Sequence, residues 1–314
     1  MDFLNQPIKF YKKRNFSEKM SAAFDFIKAN IKMLLQLSLY LLLPVSLLQG
    51  IFMNTYIGTV FNFSVGMGQT ASVEPGMITG ILPSLVGSFL GMMIIGLFGY
   101  ALLISLTFTT VQEYNEKGTL QGIIFNDLKP RLIQNAKRAL IVSLAMFGMV
   151  IAAYLLIILC IVTVPLLLIL LVPAFIVFIL PLTMIYPVYI FEDINLSAAI
   201  AKGFRLGLKT WGPLFGILFV MGLLAGVLQS VGAIPFSIFF FTKAILSVSD
   251  PTALDFTGSF GSSIAMYITA VIAVFFSYVS YILIQLGLAY HYSSTVEADE
   301  AISVNDDLSN FEQL

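Results

Sequence analysis

The chain has 314 residues, of which 59% are hydrophobic and 11% charged, with a formal net charge of −1. Soluble domains carry about 25% charged residues, so this composition cannot clothe a water-exposed globule and predicts a surface wetted by lipid. The near-zero charge argues against a nucleic-acid partner, which needs a dense basic surface; the single cysteine, Cys160, excludes an intrachain disulfide and leaves no zinc cluster with enough ligands.

About thirty polar or amphipathic residues open the chain, which is not the pattern of a cleaved signal peptide. Within them Met20, Ala23, Phe24, Ile27 and Ile31 fall on one helical face, and Ser17 is the expected N-cap. A hydrocarbon core about 30 Å thick needs roughly 20 helical residues. The first run of that length covers about 31–52 and the second about 85–107. A second amphipathic stretch follows, with Leu128, Leu132, Ala136 and Leu140 on one face and Arg131, Gln134 and Arg138 on another. The uncharged stretch 139–191 is too long for one span. It splits at 163–165, where Pro165 suits the first turn of a new helix, giving spans at about 139–162 and 165–190. A third amphipathic stretch places Leu196, Ile200, Phe204 and Leu208 opposite Lys202, Arg205 and Lys209. Spans at about 213–234 and 264–290 complete a set of six, forming one transmembrane domain over 1–295. The tail, 296–314, has six acidic and no basic residues and reads as a disordered solvating end, with a cytoplasmic protein partner as the alternative.

Fifteen of the sixteen Lys and Arg residues lie in three blocks, Lys9 to Lys32, Lys117 to Arg138 and Lys202 to Lys209; Lys243 is the exception. Six spans put all three blocks on one face, and the positive-inside rule makes that face cytoplasmic, with both termini. The predicted fold is therefore an all-α, polytopic helix bundle with six transmembrane helices. Three interfacial helices would each precede a pair of spans, as in a threefold repeat. The matching Ser21-Ala22-Ala23 and Ser197-Ala198-Ala199 fit such a repeat. Short helices of this kind lie in the headgroup layer. Lys28, Lys32, Arg131, Arg138, Lys202, Arg205 and Lys209 are the candidate contacts for anionic lipid headgroups.

Glu192, then Leu196-Ser197-Ala198-Ala199, then Lys209-Thr210-Trp211-Gly212 before an apolar span resemble a group of six-span bacterial membrane proteins. That group includes the membrane domain fused to some glycerophosphodiester phosphodiesterases. Met1-Asp2-Phe3-Leu4 with Lys12-Lys13-Arg14 is similar to integral membrane proteins of Bacteroidetes-type bacteria. The resemblance implies the six-span architecture and a bacterial inner membrane. It implies no catalytic residues, since the soluble phosphodiesterase domain has no counterpart in these residues.

No ionisable side chain falls in mid-span, where it would be costly and functional. This argues against a carboxylate proton relay or an intramembrane protease. No nucleophile elbow, His-Glu-x-x-His or P-loop occurs, and neither a cofactor nor a metal is expected. His291, the only histidine, sits between Tyr290 and Tyr292 and is expected in an interfacial belt of amphipathic side chains. Gln36, Gln229, Gln285, Ser143, Ser277 and Ser280 enter the spans, where they would form interhelical hydrogen bonds or line a substrate path. Gly87 with Gly91, Gly212 with Gly216 and Gly222 with Gly226 are spaced for close helix packing. Pro173, Pro181 and Pro187 deprive the carbonyls of Ile169, Val177 and Thr183 of their helical donors, making the fourth span the candidate helix break. These readings favour a non-enzymatic membrane protein with a scaffold, accessory or lipid-interacting role. The alternative is a small permease or lipid transporter with a cavity beside the fourth span.

Overall fold

The computed structural model describes residues 8–69, 75–163, 168–249 and 260–302. Eight helices carry them, and no strand occurs among the described residues: α1 (Phe16–Gln69), α2 (Pro75–Lys117), α3 (Phe125–Thr163), α4 (Leu168–Leu182), α5 (Ile185–Phe191), α6 (Leu196–Lys209), α7 (Trp211–Ser249) and α8 (Phe260–Glu300). Six segments are long and apolar enough to cross a membrane: Phe16–Phe61, Thr79–Lys117, Phe125–Ile161, Pro173–Phe191, Trp211–Ile245 and Ser263–Glu300. The chain is thus a multi-pass membrane protein, and each expected span has its counterpart. The turn expected at 163–165 lies at the edge of the described residues, with Pro165 outside them. Glu74, Asp250, Asp255, Asp306, Asp307 and Glu312 also lie outside.

The helices are longer than the spans. At 1.5 Å per residue, the 54 residues of α1 measure about 80 Å, far more than a hydrocarbon core of about 30 Å. This corrects the expectation of three separate interfacial helices. The first two amphipathic stretches are the opening turns of α1 and α3, and only the third, α6, is a helix of its own. The reason lies in the breakers. No Gly or Pro occurs between Phe16 and Leu43, nor between Arg131 and Phe147, so nothing interrupts the helix before the apolar run begins. After Lys209 comes Gly212-Pro213. Thr210 leaves the helical region at φ −115°, ψ 28°, and Pro213 then occupies the first turn of α7, where its missing N–H costs nothing.

Side-chain caps start two of these helices. Asn15, not Ser17, caps α1: its Oδ1 accepts from the Glu18 N–H at 2.9 Å, and the Glu18 carboxylate accepts from the Asn15 N–H at 2.9 Å. This reciprocal pair is a capping box. Asn195 caps α6 by accepting from the Ala198 N–H at 2.8 Å.

The chain divides into two compact units, one of residues 1–37, 101–223 and 282–314, the other of residues 38–100 and 224–281. The first unit holds fifteen of the sixteen basic residues; Lys243 alone belongs to the second. The second unit packs apolar helix on apolar helix. Its small residues admit aromatic rings: Gly91 faces the Phe52 ring, Gly99 faces Tyr278 and Gly232 faces Phe276, each closer than a Cβ would permit. The Tyr278 hydroxyl donates to Gln49 Oε1 at 2.6 Å. Of the glycine pairs expected to mediate packing, Gly91 and Gly216 do approach a neighbouring side chain. Gly87, Gly212, Gly222 and Gly226 face open space.

Candidate functional site at the basic helix ends

The polar chemistry of the described chain is concentrated in the first unit, where α1, α3 and α7 begin and α2 and α8 end. The faces that pack there are not the ones apolar periodicity picked out. On α1 the buried set is Lys19, Ala22, Ala23, Phe26, Asn30 and Leu34, while Ile31 is exposed. The buried stripe is therefore rotated by about one residue, because it includes a lysine and an asparagine that a hydrophobic template rejects. On α6 the buried residues are Ala199, Gly203, Leu206 and Gly207, and Leu208 is exposed. A Cβ at Gly203 would lie 2.9 Å from the Ile185 backbone, and one at Gly207 would lie 2.5 Å from Pro181 Cα. The small face of α6 thus lies backbone to backbone on α4 and α5.

Those two helices are the fourth span, and the break falls between Pro181 and Pro187. Thr183 and Met184 donate to the carbonyls of Leu180 and Pro181, three residues back, in a tight turn. The carbonyl that Pro187 leaves without its usual donor, Thr183, accepts from the Tyr186 N–H at 3.4 Å. The one that Pro181 leaves, Val177, accepts from the Trp211 indole at 2.9 Å. Met184, Ile185 and Val188 are wholly buried, so the break is packed solid.

A non-helical segment, residues 8–15, folds back onto the helix ends. Phe10 is 3% exposed, with ring contacts to Phe191 at 4.9 Å and Tyr290 at 5.8 Å. Arg14 fastens the segment. Its guanidinium donates to the carbonyls of Phe10, Lys12 and Lys9, lies 5.4 Å from the centre of the Tyr290 ring, and its backbone exchanges hydrogen bonds with the Ser294 hydroxyl. Burial draws its pKa below the usual arginine value, against the pull of Tyr290 and Glu18.

His291, expected in an interfacial belt of amphipathic side chains, is wholly buried within the protein. Lys19 Nζ lies 3.2 Å from its Nδ1 and Thr210 Oγ1 lies 3.0 Å from its Nε2. The Thr210 hydroxyl donates to the Leu206 carbonyl at 2.8 Å, so its oxygen is left to accept from Nε2–H. An ammonium can only donate, so Nδ1 carries the lone pair. The network therefore assigns one neutral tautomer.

Glu192 is a second hub. Its carboxylate accepts from the Tyr292 hydroxyl at 2.8 Å and from Lys202 Nζ at 2.8 Å, and Lys202 also pairs with Glu300 at 2.6 Å. Burial alone would lower the Lys202 pKa; hydrogen bonds to Glu192 and Glu300 outweigh it, and the ammonium is held above the usual lysine value.

Four of the seven candidate headgroup cations are engaged within the protein. Arg131 pairs with Glu113 and Glu116. Arg138 pairs with Asp193 at 2.5 Å and donates to the carbonyls of Tyr189 and Glu192. Lys202 holds Glu192 and Glu300, and Lys209 holds Asp299. These last two pairs belong to a turn the sequence assigned to the tail; α8 instead continues to Glu300. Lys28, Lys32 and Arg205 are exposed on helix surfaces.

Beside Lys32 lies a half-open cavity of about 450 Å³, lined by Ala29, Asn30, Lys32, Met33 and Gln36 of α1 and by Leu120–Ile123 of the α2–α3 loop. No residue of α4 or α5 lines it. Gln36 is the one glutamine of the expected substrate path found there. Gln285 is buried elsewhere at 2% exposure, and Ser143 serves as an interhelical partner, 3.1 Å from the Tyr186 hydroxyl. Among the described residues no three of His, Cys, Asp and Glu converge as metal ligands would. Comparison of the chain with protein-family models, with curated proteins and with solved structures finds no match.

Proposed function

We propose that the chain is a non-enzymatic scaffold of a bacterial inner membrane, working at the headgroup layer with its basic helix ends on the cytoplasmic side. One observation carries this reading. The buried and half-buried ionisable groups of the first unit are engaged with neighbouring groups: Lys19 with His291, Lys202 with Glu192 and Glu300, and Glu113 with Arg131 across helices and with Lys117 inside α2. Lys28, Lys32, Lys129, Lys137 and Arg205 stay exposed there, among exposed carboxylates such as Asp25 and Asp127, and such cations suit contact with anionic lipid. The bacterial membrane follows from the sequence resemblance, and the cytoplasmic orientation from the positive-inside rule. The permease alternative gains no support at the fourth span, whose break is filled by side chains.

Purification in a mild non-ionic detergent tests the reading. Retained anionic phospholipid or a stoichiometric protein partner supports it. A retained non-lipid solute, with uptake of that solute into vesicles reconstituted with the full chain, would overturn it in favour of transport.

A further inference from the structure

We propose that the cavity between α1 and the α2–α3 loop is a binding site for the phosphate headgroup of an anionic phospholipid. The inference rests on reading the basic helix ends as the headgroup side and adds a defined site to it.

The lining carries the chemistry of an anion site. Among the described lining residues Lys32 is the one that carries a charge, and Asn30, Gln36 and Gln121 supply amide groups. An ammonium is a compact point charge suited to a phosphate oxygen; the Gln36 and Gln121 amides each carry two N–H donors, and Asn30, which donates to the Phe26 carbonyl at 3.0 Å, has one more. Among the described residues, no acidic one lines the space. About 450 Å³ falls within the range of small-ligand pockets, roughly 300–1,000 Å³.

The loop that closes the cavity is held in shape. Gly118 and Gly122 have φ of 71° and 80°, values that glycine reaches without a steric penalty. Leu120 is 4% exposed and anchors the loop in the core, and the Thr119 hydroxyl accepts from the Gln121 N–H at 3.1 Å. The Asp127 carboxylate accepts from the Ile124 N–H at 3.2 Å, which fixes the start of α3.

Position selects a lipid over a soluble phosphate. Lys32 is the last charged residue of α1; the rest of the helix, to Gln69, has none. Lys32 and Gln36 share a helix face with Leu39 and Tyr40, next to Leu35. These three are exposed at 51%, 61% and 44%. An apolar track thus leaves the cavity mouth in the direction an acyl chain would take from a headgroup held by Lys32.

The test is native mass spectrometry of the full chain in a non-ionic detergent, titrated with phosphatidylglycerol, phosphatidylcholine or inorganic phosphate. The wild type is expected to hold one phosphatidylglycerol at least about tenfold more tightly than phosphatidylcholine, a difference of about 1.4 kcal/mol. Lys32→Gln should abolish that preference. Ala29→Phe should block the site sterically with every charge retained, and Lys137→Gln, an exposed cation of α3 outside the cavity, should leave binding unchanged. Equal losses in Lys137→Gln and Lys32→Gln, or full binding in Ala29→Phe, would overturn the cavity site and leave a diffuse basic surface. Displacement of the lipid by inorganic phosphate at comparable concentration would overturn the lipid assignment in favour of a soluble anion. A wild type indifferent to headgroup charge would overturn the site and the headgroup reading together.

Discussion

The Trp211 indole N–H donates to the Val177 carbonyl at 2.9 Å, the carbonyl whose helical donor is missing because residue 181 is proline. The chain's one tryptophan thus closes a gap opened by proline on another helix. Trp211→Phe should keep the stacking on Phe215, now 5.6 Å between ring centres, while leaving the carbonyl without its donor. The expected cost is about 1–3 kcal/mol, read as unfolding in mixed detergent micelles. Pro181→Ala returns a backbone N–H to Val177 and should recover most of that loss in the Trp211→Phe background. Strictly additive effects of the two changes would show that the indole does not serve the orphaned carbonyl.

Close approach and open space give glycines opposite expectations. A Cβ at Gly207 meets Pro181 Cα at 2.5 Å and its carbonyl oxygen at 2.7 Å, both backbone atoms unable to swing aside. Gly207→Ala should destabilise by about 1–3 kcal/mol through overpacking. Gly222 and Gly226 have nothing within 4 Å of a Cβ. Alanine there should be neutral or stabilise by about 0.5–1 kcal/mol, the usual difference between the two residues inside a helix. Equal melting temperatures for Gly207→Ala and Gly222→Ala would contradict the packing of α6.

Span number and the segregation of charge were legible because both rest on composition over long windows. The positions of Lys19, Asn30 and His291 were not. A polar residue in an apolar stripe breaks the periodic signal, and nothing local tells a buried lysine from a snorkelling one. Phe10 was hidden for the converse reason: among Lys9, Lys12, Lys13 and Arg14 it reads as part of a solvated arm. The fourth span shows both sides of this. Its freed carbonyls were readable from proline positions, since the missing N–H is a local fact. That Trp211 would serve Val177 was not, because the two lie 34 residues apart and meet only once α6 has docked. The headgroup cations follow the same division. Sequence placed Arg131, Arg138, Lys202 and Lys209 in basic blocks but could not show that carboxylates on other elements would meet them.

Lys19 and His291 supply a prediction about coupling. The buried ammonium has the imidazole Nδ1 as its acceptor at 3.2 Å. His291→Leu removes that acceptor and leaves the Thr210 hydroxyl without its ring donor. The expected cost is about 1.5–3 kcal/mol, the usual range for a hydrogen bond to a charged group. Lys19→Met in the same background also removes the stranded charge, so the double variant should be less destabilised than the sum of the single changes by about 0.5–3 kcal/mol. A coupling energy near zero would mean that the pair does not join α1 to α8.

The orientation proposed from the positions of the cations is open to direct measurement. Fifteen basic residues lie in the unit containing the starts of α1, α3 and α7, and only Lys243 lies in the other. Retaining the first group on the cytoplasmic side agrees with the known bias in membrane insertion. The opposite orientation would carry Lys9 to Lys32, Lys117 to Arg138 and Lys202 to Lys209 across the bilayer. Alkaline phosphatase, which folds only in an oxidising compartment, should therefore be active when fused after residue 65 and inactive when fused after residue 120. A fusion at Ile194, between α5 and α6, should match the second result, because the fourth span returns the chain to the basic face. Activity at 120 and 194 with none at 65 would reverse the orientation. Unlike results at 120 and 194 would instead break the pairing of spans three and four, and with it the count of six.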